Sequence, residues 1–300
     1  MKLFSKSTRS IMGALTALLA TGVLADANTG GEFAYLESGL LPQIVESATL
    51  NVLTLNVAHA RGKALNQILV SSNQHRSNLD KISSMLRDSD AQVVAIQEAD
   101  GQSLWSGHFD HVGYLAAAAG HWSFVHGYHA DSWLFTYGAA LMSNFRLSET
   151  QSHSFQPSWP TTTKGFVRGS ILWRDSEDRS ATIPVTLVSI HLDFSRESVR
   201  RAQIDELVRE LQPIETPLII LGDFNADWSV EDSPVRDLAA KLKLRAFNPQ
   251  ETGLGSYKTN QRLDWILISD RLEFADYRVL PDVLSDHLAV QAKISWKQPD

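Results

Sequence analysis

Six hydrophobic stretches of the chain each carry a polar group at one end. TLNVLTLN ends at Asn56, VVAIQE at Glu98, VTLVSIH at His191, and PLIILGDFN at Asp223 and Asn225. In two others the polar group comes first: Asp264 opens DWILIS, and Asp286 and His287 precede an apolar run over residues 288–294. Short apolar runs of this kind predict β-strands. If the first four strands arrive at a common edge and the last two depart from it, carboxylates, amides and imidazoles from the whole chain gather on one rim. A metal-assisted hydrolase site is built in that way.

Residues 93–96 and 218–221 are almost continuously apolar, which predicts strands covered on both faces. Between the strands the period changes. Leu79, Ile82 and Leu86 have the spacing of one buried helical stripe, and Val199, Ala202, Leu207 and Leu211 repeat it behind Ser195, a predicted N-cap. Alternating strands and helices over 300 residues predict one layered α/β domain. Residues 101–173 are less periodic and rich in Gly, His, Ser and Trp, so substrate choice is expected in loops there.

The composition, 43% hydrophobic and 20% charged, is that of a globular protein able to bury a large core. Residues 1–27 stand apart from it. Lys2, Lys6 and Arg9 form a basic start, residues 11–25 are apolar and helix-prone, and Ala25-Asp26-Ala27 has the small-x-small pattern of a signal-peptidase site. The apolar stretch is short for a bilayer span, which takes about 20 residues. We therefore expect a signal peptide over residues 1–27, a lead-in over 28–48, a catalytic domain over 49–296, and a periplasmic or secreted monomer with no membrane anchor after cleavage. There is no cysteine, hence no disulfide framework and no thiolate metal site. The net charge is −7, and losing residues 1–27 makes it more negative. An acidic body lacks the broad basic footprint of a tight nucleic-acid binder, although a bound divalent cation would supply positive charge locally.

Alone, each polar tip has a plain explanation: Asp and Asn at strand ends are usually turn formers or helix caps, and a lone His is usually a hydrogen-bonded structural residue. Their order along the chain favours chemistry. GDFN, RLDWI and SDH, together with TLNV, VVAIQE, YGAALMS, VRGSILW and SIHLDF, resemble in sequence order the motifs of the endonuclease/exonuclease/phosphatase superfamily, which has the deoxyribonuclease I fold. The resemblance runs from about Leu50 to about Ile294. It implies a four-layer sandwich of two packed mixed β-sheets flanked by helices, hydrolysing a phosphoester with Mg²⁺ or Mn²⁺. Carried over residue by residue, it assigns Asn56, Glu98 and Asp286 to the metal and Asp223 and Asn225 to the phosphate and attacking water. His191, Asp264 and His287 are assigned to proton handling, and Arg168 to a phosphate contact.

The chemistry suits these residue types. A phosphodiester anion repels hydroxide, so its oxygens must be neutralised and the water held in line. Mg²⁺ takes carboxylate, amide and water ligands, so Glu98 with Asp286 suffices to anchor it. His287 is the expected base or proton relay, with Asp264 fixing its tautomer. The expected activity is that of an exported phosphodiesterase acting on nucleic acid, DNA or RNA. The alternative is a sphingomyelinase-like or inositol-phosphatase-like hydrolase of phospholipid or sugar phosphates. Lys164 is read as a solvated loop lysine, Trp173 and Trp265 as core, and Trp122, Trp133 and Trp159 as candidates for contact with substrate or membrane.

Overall fold

The structure, a computed structural model, describes residues 41–298 apart from 122, 176, 177, 179 and 259, together with the backbone of Thr21–Ala25 and Gly31–Leu36. Strands β1 (Thr21–Ala25), β2 (Gly31–Leu36), β3 (Ile44–Val45), β4 (Thr49–Asn56), β5 (Val93–Asp100), β6 (Ser123–Gly127), β7 (Ala130–Asp131) and β8 (Thr136–Ser143) occupy the first half. They are followed by β9 (Ser148–Ser154), β10 (Gly165–Arg174), β11 (Thr182–His191), β12 (Leu218–Asp223), β13 (Leu244–Ala246), β14 (Asp264–Ser269), β15 (Leu272–Val279) and β16 (Val290–Trp296). The helices are α1 (Ser72–Asp88), α2 (His111–Ala119), α3 (Glu197–Leu211) and α4 (Pro234–Lys241). Most of the expected signal peptide, and Trp122, lie outside the described residues. The last five residues of the stretch read as helix-prone, Thr21–Ala25, are strand, paired antiparallel with Gly31–Leu36.

Two sheets result. One has nine strands in the order β1-β2-β6-β8-β5-β4-β16-β15, with β7 on β8; the other has seven, β13-β14-β12-β11-β10-β3, with β9 on β10. Both are mixed, since β4 runs parallel to β5 and β11 parallel to β12 among antiparallel neighbours. Strand alternation sorts the apolar side chains into three layers. Leu50 and Val52 of β4 point inward with Val167, Leu187, Ile219 and Ile266 to fill the space between the sheets. Leu53 and Leu55 point the other way, onto Leu79, Ile82 and Leu86 of α1 and Val112 and Leu115 of α2. Val188, Ile190 and Ile220 do the same for Ile204 and Leu207 of α3 and Leu238 of α4. The predicted four-layer sandwich is therefore present, with Trp173 and Trp265 fully buried as expected.

The stripe of α3 differs from the expectation. Its buried residues are Gln203, Ile204, Leu207 and Leu211, while Ala202 is exposed and Val199 only half-buried. The cap differs too. Asp193 Oδ1 accepts from the Ser195 amide at 2.9 Å, the Ser195 hydroxyl at 2.9 Å and the Arg196 amide at 2.8 Å, closing the turn ahead of α3, whose N-cap residue is Arg196 and not Ser195.

Candidate active site

Register brings the strand tips together. Asn56 pairs with Gln97 across β4 and β5, His191 with Asp223 across β11 and β12, and Asp223 with Asp264 across β12 and β14. β4, β5, β11 and β12 end at this rim, and β14 begins there. His287 precedes β16, whose first residue, Val290, pairs with Thr54 near the end of β4. Behind the rim a buried polar seam joins the two sheets: Thr54 Oγ1 donates to Gln97 Oε1 at 3.2 Å, and Gln97 Nε2 donates to Ser189 Oγ at 3.2 Å.

Asp223 is the hub. Its Oδ2 accepts from Asn56 Nδ2 at 3.1 Å and lies 3.6 Å from His191 Nε2 and 3.8 Å from His287 Nε2, while Oδ1 accepts from the Asn225 amide at 2.9 Å. Asn225 itself donates Nδ2 to the Leu192 carbonyl at 3.0 Å. Burial drives the Asp223 carboxyl up from its ordinary range, with His287 pulling it back and Asp264 adding to the rise. His287 Nδ1 lies 2.8 Å from Asp264 Oδ2, which also accepts from Ser256 Oγ at 2.5 Å. Burial disfavours the imidazolium, but Asp264 and Asp223 outweigh that and push His287 up to about 10. His191 is driven the other way by burial, with Lys164 and His287 as nearby positive groups, and is held neutral. A neutral His191 suits a hydrogen bond to a phosphoryl oxygen better than the delivery of a proton.

Glu98 sits at a β-bulge where the pairing of β5 with β8 shifts, with φ of 52°. Asn225 also has a left-handed backbone, φ 48°. Such conformations cost on the order of 1–3 kcal/mol each in non-glycine residues and collect at functional sites. The bulge turns the Glu98 carboxylate toward the rim, its oxygens 3.6 Å from His59 Nε2 and 3.8 Å from His191 Nε2. Burial works to raise this carboxyl, but His59, Lys164 and His287 hold it below the usual range. Asp286 carries an ion pair, with Arg61 Nη2 2.5 Å from Oδ2. Burial would raise Asp286, and Arg61 overcomes it.

Eight of the nine predicted site residues therefore stand at one rim. Arg168 does not. It shares the helix-facing side of β10 with Phe166, while Val167 points between the sheets, and its Nε donates to Gln151 Oε1 at 2.8 Å. The expected phosphate contact is corrected on that ground: strand parity aims Arg168 away from the rim. Lys164, just ahead of the same strand, is buried, not solvated, with Glu98, Asp223 and Asp193 as nearby negative groups. Burial lowers its pKa. His59 and Asp100 were also missed: a left-handed turn carries His59 to the rim after β4, and Asp100 follows the bulge at Glu98.

The donor set fits a hard divalent cation. Carboxylates of Glu98 and Asp286 and the amide of Asn56 offer oxygens, and Asp223, Asp264 and His287 have ligand atoms within 4.8 Å of one another. Asp264 Oδ1 is buried without a hydrogen-bond partner. Since Asp264 Oδ2 and His287 Nδ1 are already bound to each other, that trio reads better as a proton-handling unit, and Glu98 as the cation anchor.

A profile of the Endonuclease/Exonuclease/phosphatase family matches residues 49–287. The chain belongs to that family. Its fold is similar to that of a family protein from Beutenbergia cavernae (TM-score 0.65, 16% identity, 83% of this chain and 72% of that one). It also resembles the human Nocturnin catalytic domain with bound sulfate (0.59, 18%, 83% and 95%). A mannosyl-6-phosphatase from Bacteroides thetaiotaomicron is similar as well (0.57, 16%, 82% and 100%). At these identities the likeness concerns the fold alone. A search of curated proteins finds no match.

Proposed function

We propose that the protein is an exported, divalent-metal-dependent phosphodiesterase acting first on nucleic acid. The observation that carries the reaction class is the convergence of Glu98, Asp223 and the His287–Asp264 pair on one space, with Asp223 3.8 Å from His287 Nε2. A bound cation would supply Lewis-acid polarisation of the phosphoryl group, with Glu98 and Asp286 holding it. The chain's own residues do the rest. Asp223, its carboxyl raised by burial, orients the attacking water and takes its proton, the His287 imidazolium, stabilised by Asp264, donates to a phosphoryl oxygen, and Lys164 and His191 hold non-bridging oxygens. Support for nucleic acid comes from Lys63 and Lys258, which line a cleft with Arg61 beside Asp286 and offer cations to flanking phosphates.

A second substrate, phospholipid, is favoured by exposed aromatic side chains. Trp133 and Trp159 are 85% and 87% exposed, and Phe194 follows closely on His191. The Trp159 loop is tied to the turn that follows His191, since Arg196 Nη1 donates to the Trp159 carbonyl at 2.9 Å and Thr161 Oγ1 to Asp193 Oδ2 at 2.5 Å. Among the described residues no helix is long and apolar enough to cross a membrane.

Purified protein offered bis(p-nitrophenyl) phosphate, plasmid DNA, RNA, sphingomyelin and inositol phosphates, with Mg²⁺, Mn²⁺ or EDTA, tests both readings. Undiminished hydrolysis in EDTA removes the metal. Hydrolysis of lipid without nucleic acid replaces the first substrate by the second. Export is checked by the mature N-terminus, expected after residue 27.

A further inference from the structure

Beside Glu98 stands a second carboxylate–histidine pair. His59 Nδ1 lies 2.8 Å from Asp100 Oδ2, and Asp100, with no solvent exposure, also accepts from Trp105 Nε1 at 2.7 Å through Oδ1. The edge contacts of the His59 ring with Trp105, 5.0 Å between centroids, and Tyr137, 4.7 Å, fix the plane of the imidazole. With its Nδ1–H given to Asp100, His59 keeps a lone pair on Nε2. That nitrogen faces Glu98 Oε2 at 3.6 Å, longer than a hydrogen bond.

Local backbone is spent on this placement. Ala58, His59 and Ala60 have consecutive left-handed φ values of 46°, 56° and 53°, although none is glycine. Asn56 Oδ1 accepts from the Ala58 amide at 3.0 Å, and Asn78 Nδ2 donates to the Ala60 carbonyl at 2.9 Å, which pins both ends of the turn. The turn delivers His59 to the one rim carboxylate that is held by no hydrogen bond among the described residues.

We infer that His59 Nε2 is a nitrogen ligand of the divalent cation anchored by Glu98, with Asp100 as its orienting partner. The inference rests on the metal-dependent reading above. A metal-bound histidine typically donates its other N–H to a carboxylate, which fixes the tautomer and raises ligand basicity; His59 and Asp100 have that arrangement. Adjacent ligands about 2.1 Å from a six-coordinate ion stand roughly 3 Å apart, so the 3.6 Å between His59 Nε2 and Glu98 Oε2 is wider than that spacing, and binding would draw the two side chains together. A nitrogen in an otherwise oxygen set shifts preference from Mg²⁺ toward Mn²⁺ and later divalent ions.

Pulsed electron paramagnetic resonance of the full chain loaded with one equivalent of Mn²⁺ reads the nitrogen directly. A ¹⁴N coupling is expected, changing on labelling with ¹⁵N-histidine, lost in His59→Gln and kept in His191→Gln. Asp100→Asn should weaken Mn²⁺ binding by ~10–100-fold and lower the Mn²⁺ to Mg²⁺ preference. Bound Mn²⁺ without histidine coupling in the unaltered protein overturns the inference, whether or not the variants fold; so does a coupling that disappears with His191 and not with His59. Mn²⁺-dependent hydrolysis without the coupling discards this inference and leaves the phosphoesterase reading standing. A His59-dependent coupling in a protein that hydrolyses no phosphoester does the reverse, and a chain that binds no Mn²⁺ loses both.

Discussion

His287 turns Nδ1 onto the Asp264 carboxylate at 2.8 Å, so its Nε2 is the nitrogen that faces Asp223. Asp264→Asn removes the negative charge that orients this ring and leaves the imidazolium without its buried counter-charge. We expect kcat on bis(p-nitrophenyl) phosphate to fall ~10³-fold or more for Asp264→Asn and for His287→Ala, a loss of about 4 kcal/mol or more of transition-state stabilisation. A double variant should be little worse than either single one, because the two act as a unit. Additive losses would show that they act separately.

The same pair makes stability depend on pH in the metal-free protein. Folded His287 holds its proton up to about 10, whereas an ordinary histidine loses it near 6.5. The stabilisation is therefore complete below about pH 6.5 and drains away as pH rises toward 10. Urea unfolding in EDTA should show wild type losing stability across that window more steeply than His287→Ala. Parallel slopes would mean the pair carries no excess proton.

Lys164 and Arg168 separate the structural reading of the phosphate contact from the motif reading. Lys164 is buried with Glu98 and Asp223 as nearby negative groups, and Arg168 is bound to Gln151 on the helix-facing side of its strand. Lys164→Met should lower kcat/KM by roughly 10–100-fold, in the range for one charged contact to a developing anion. Arg168→Met should leave it within about twofold and cost about 1 kcal/mol of stability, as loss of one hydrogen bond at a half-buried position does. The opposite ranking would restore Arg168.

These two residues also show where the sequence was readable. Period and order located the strands, and a polar tip needs only its strand's direction to be placed, so Asn56, Glu98, His191, Asp223 and Asp264 were found. Arg168 failed because a motif says which strand but not which face, and the face depends on a one-residue register. Lys164 failed because flanking Thr and Gly read as a loop, and burial there comes from packing beside Glu98 and Tyr137, distant in sequence. His59 and Asp100 were hidden for a similar reason: a left-handed turn across three non-glycine residues has no compositional mark, and Asp100 is recognisable only once Trp105 and His59 close over it. In α3 the expected stripe holds at Leu207 and Leu211, while its first turn buries Gln203 and Ile204 in place of Val199 and Ala202.

Gly222, between Leu221 and Asp223, tests how tightly the hub is held. A β-carbon there would stand 2.0 Å from the Ile190 carbonyl oxygen, and the residue's φ of 155° disfavours any side chain. The obstacle is backbone on the neighbouring strand, and it cannot rotate away as a side chain would. Because Ile190 pairs with Gly222 and His191 with Asp223, relief of the clash must spread β11 from β12 and part the two site residues. Gly222→Ala is therefore expected to cost more than about 3 kcal/mol of stability, above the usual range for a single substitution, and to lower activity even where the chain remains folded. Denaturant midpoints paired with kcat at a temperature well below unfolding measure the two losses separately. A folded variant with unchanged kcat would show that the separation of His191 from Asp223 matters less to turnover than their placement on adjacent strands implies.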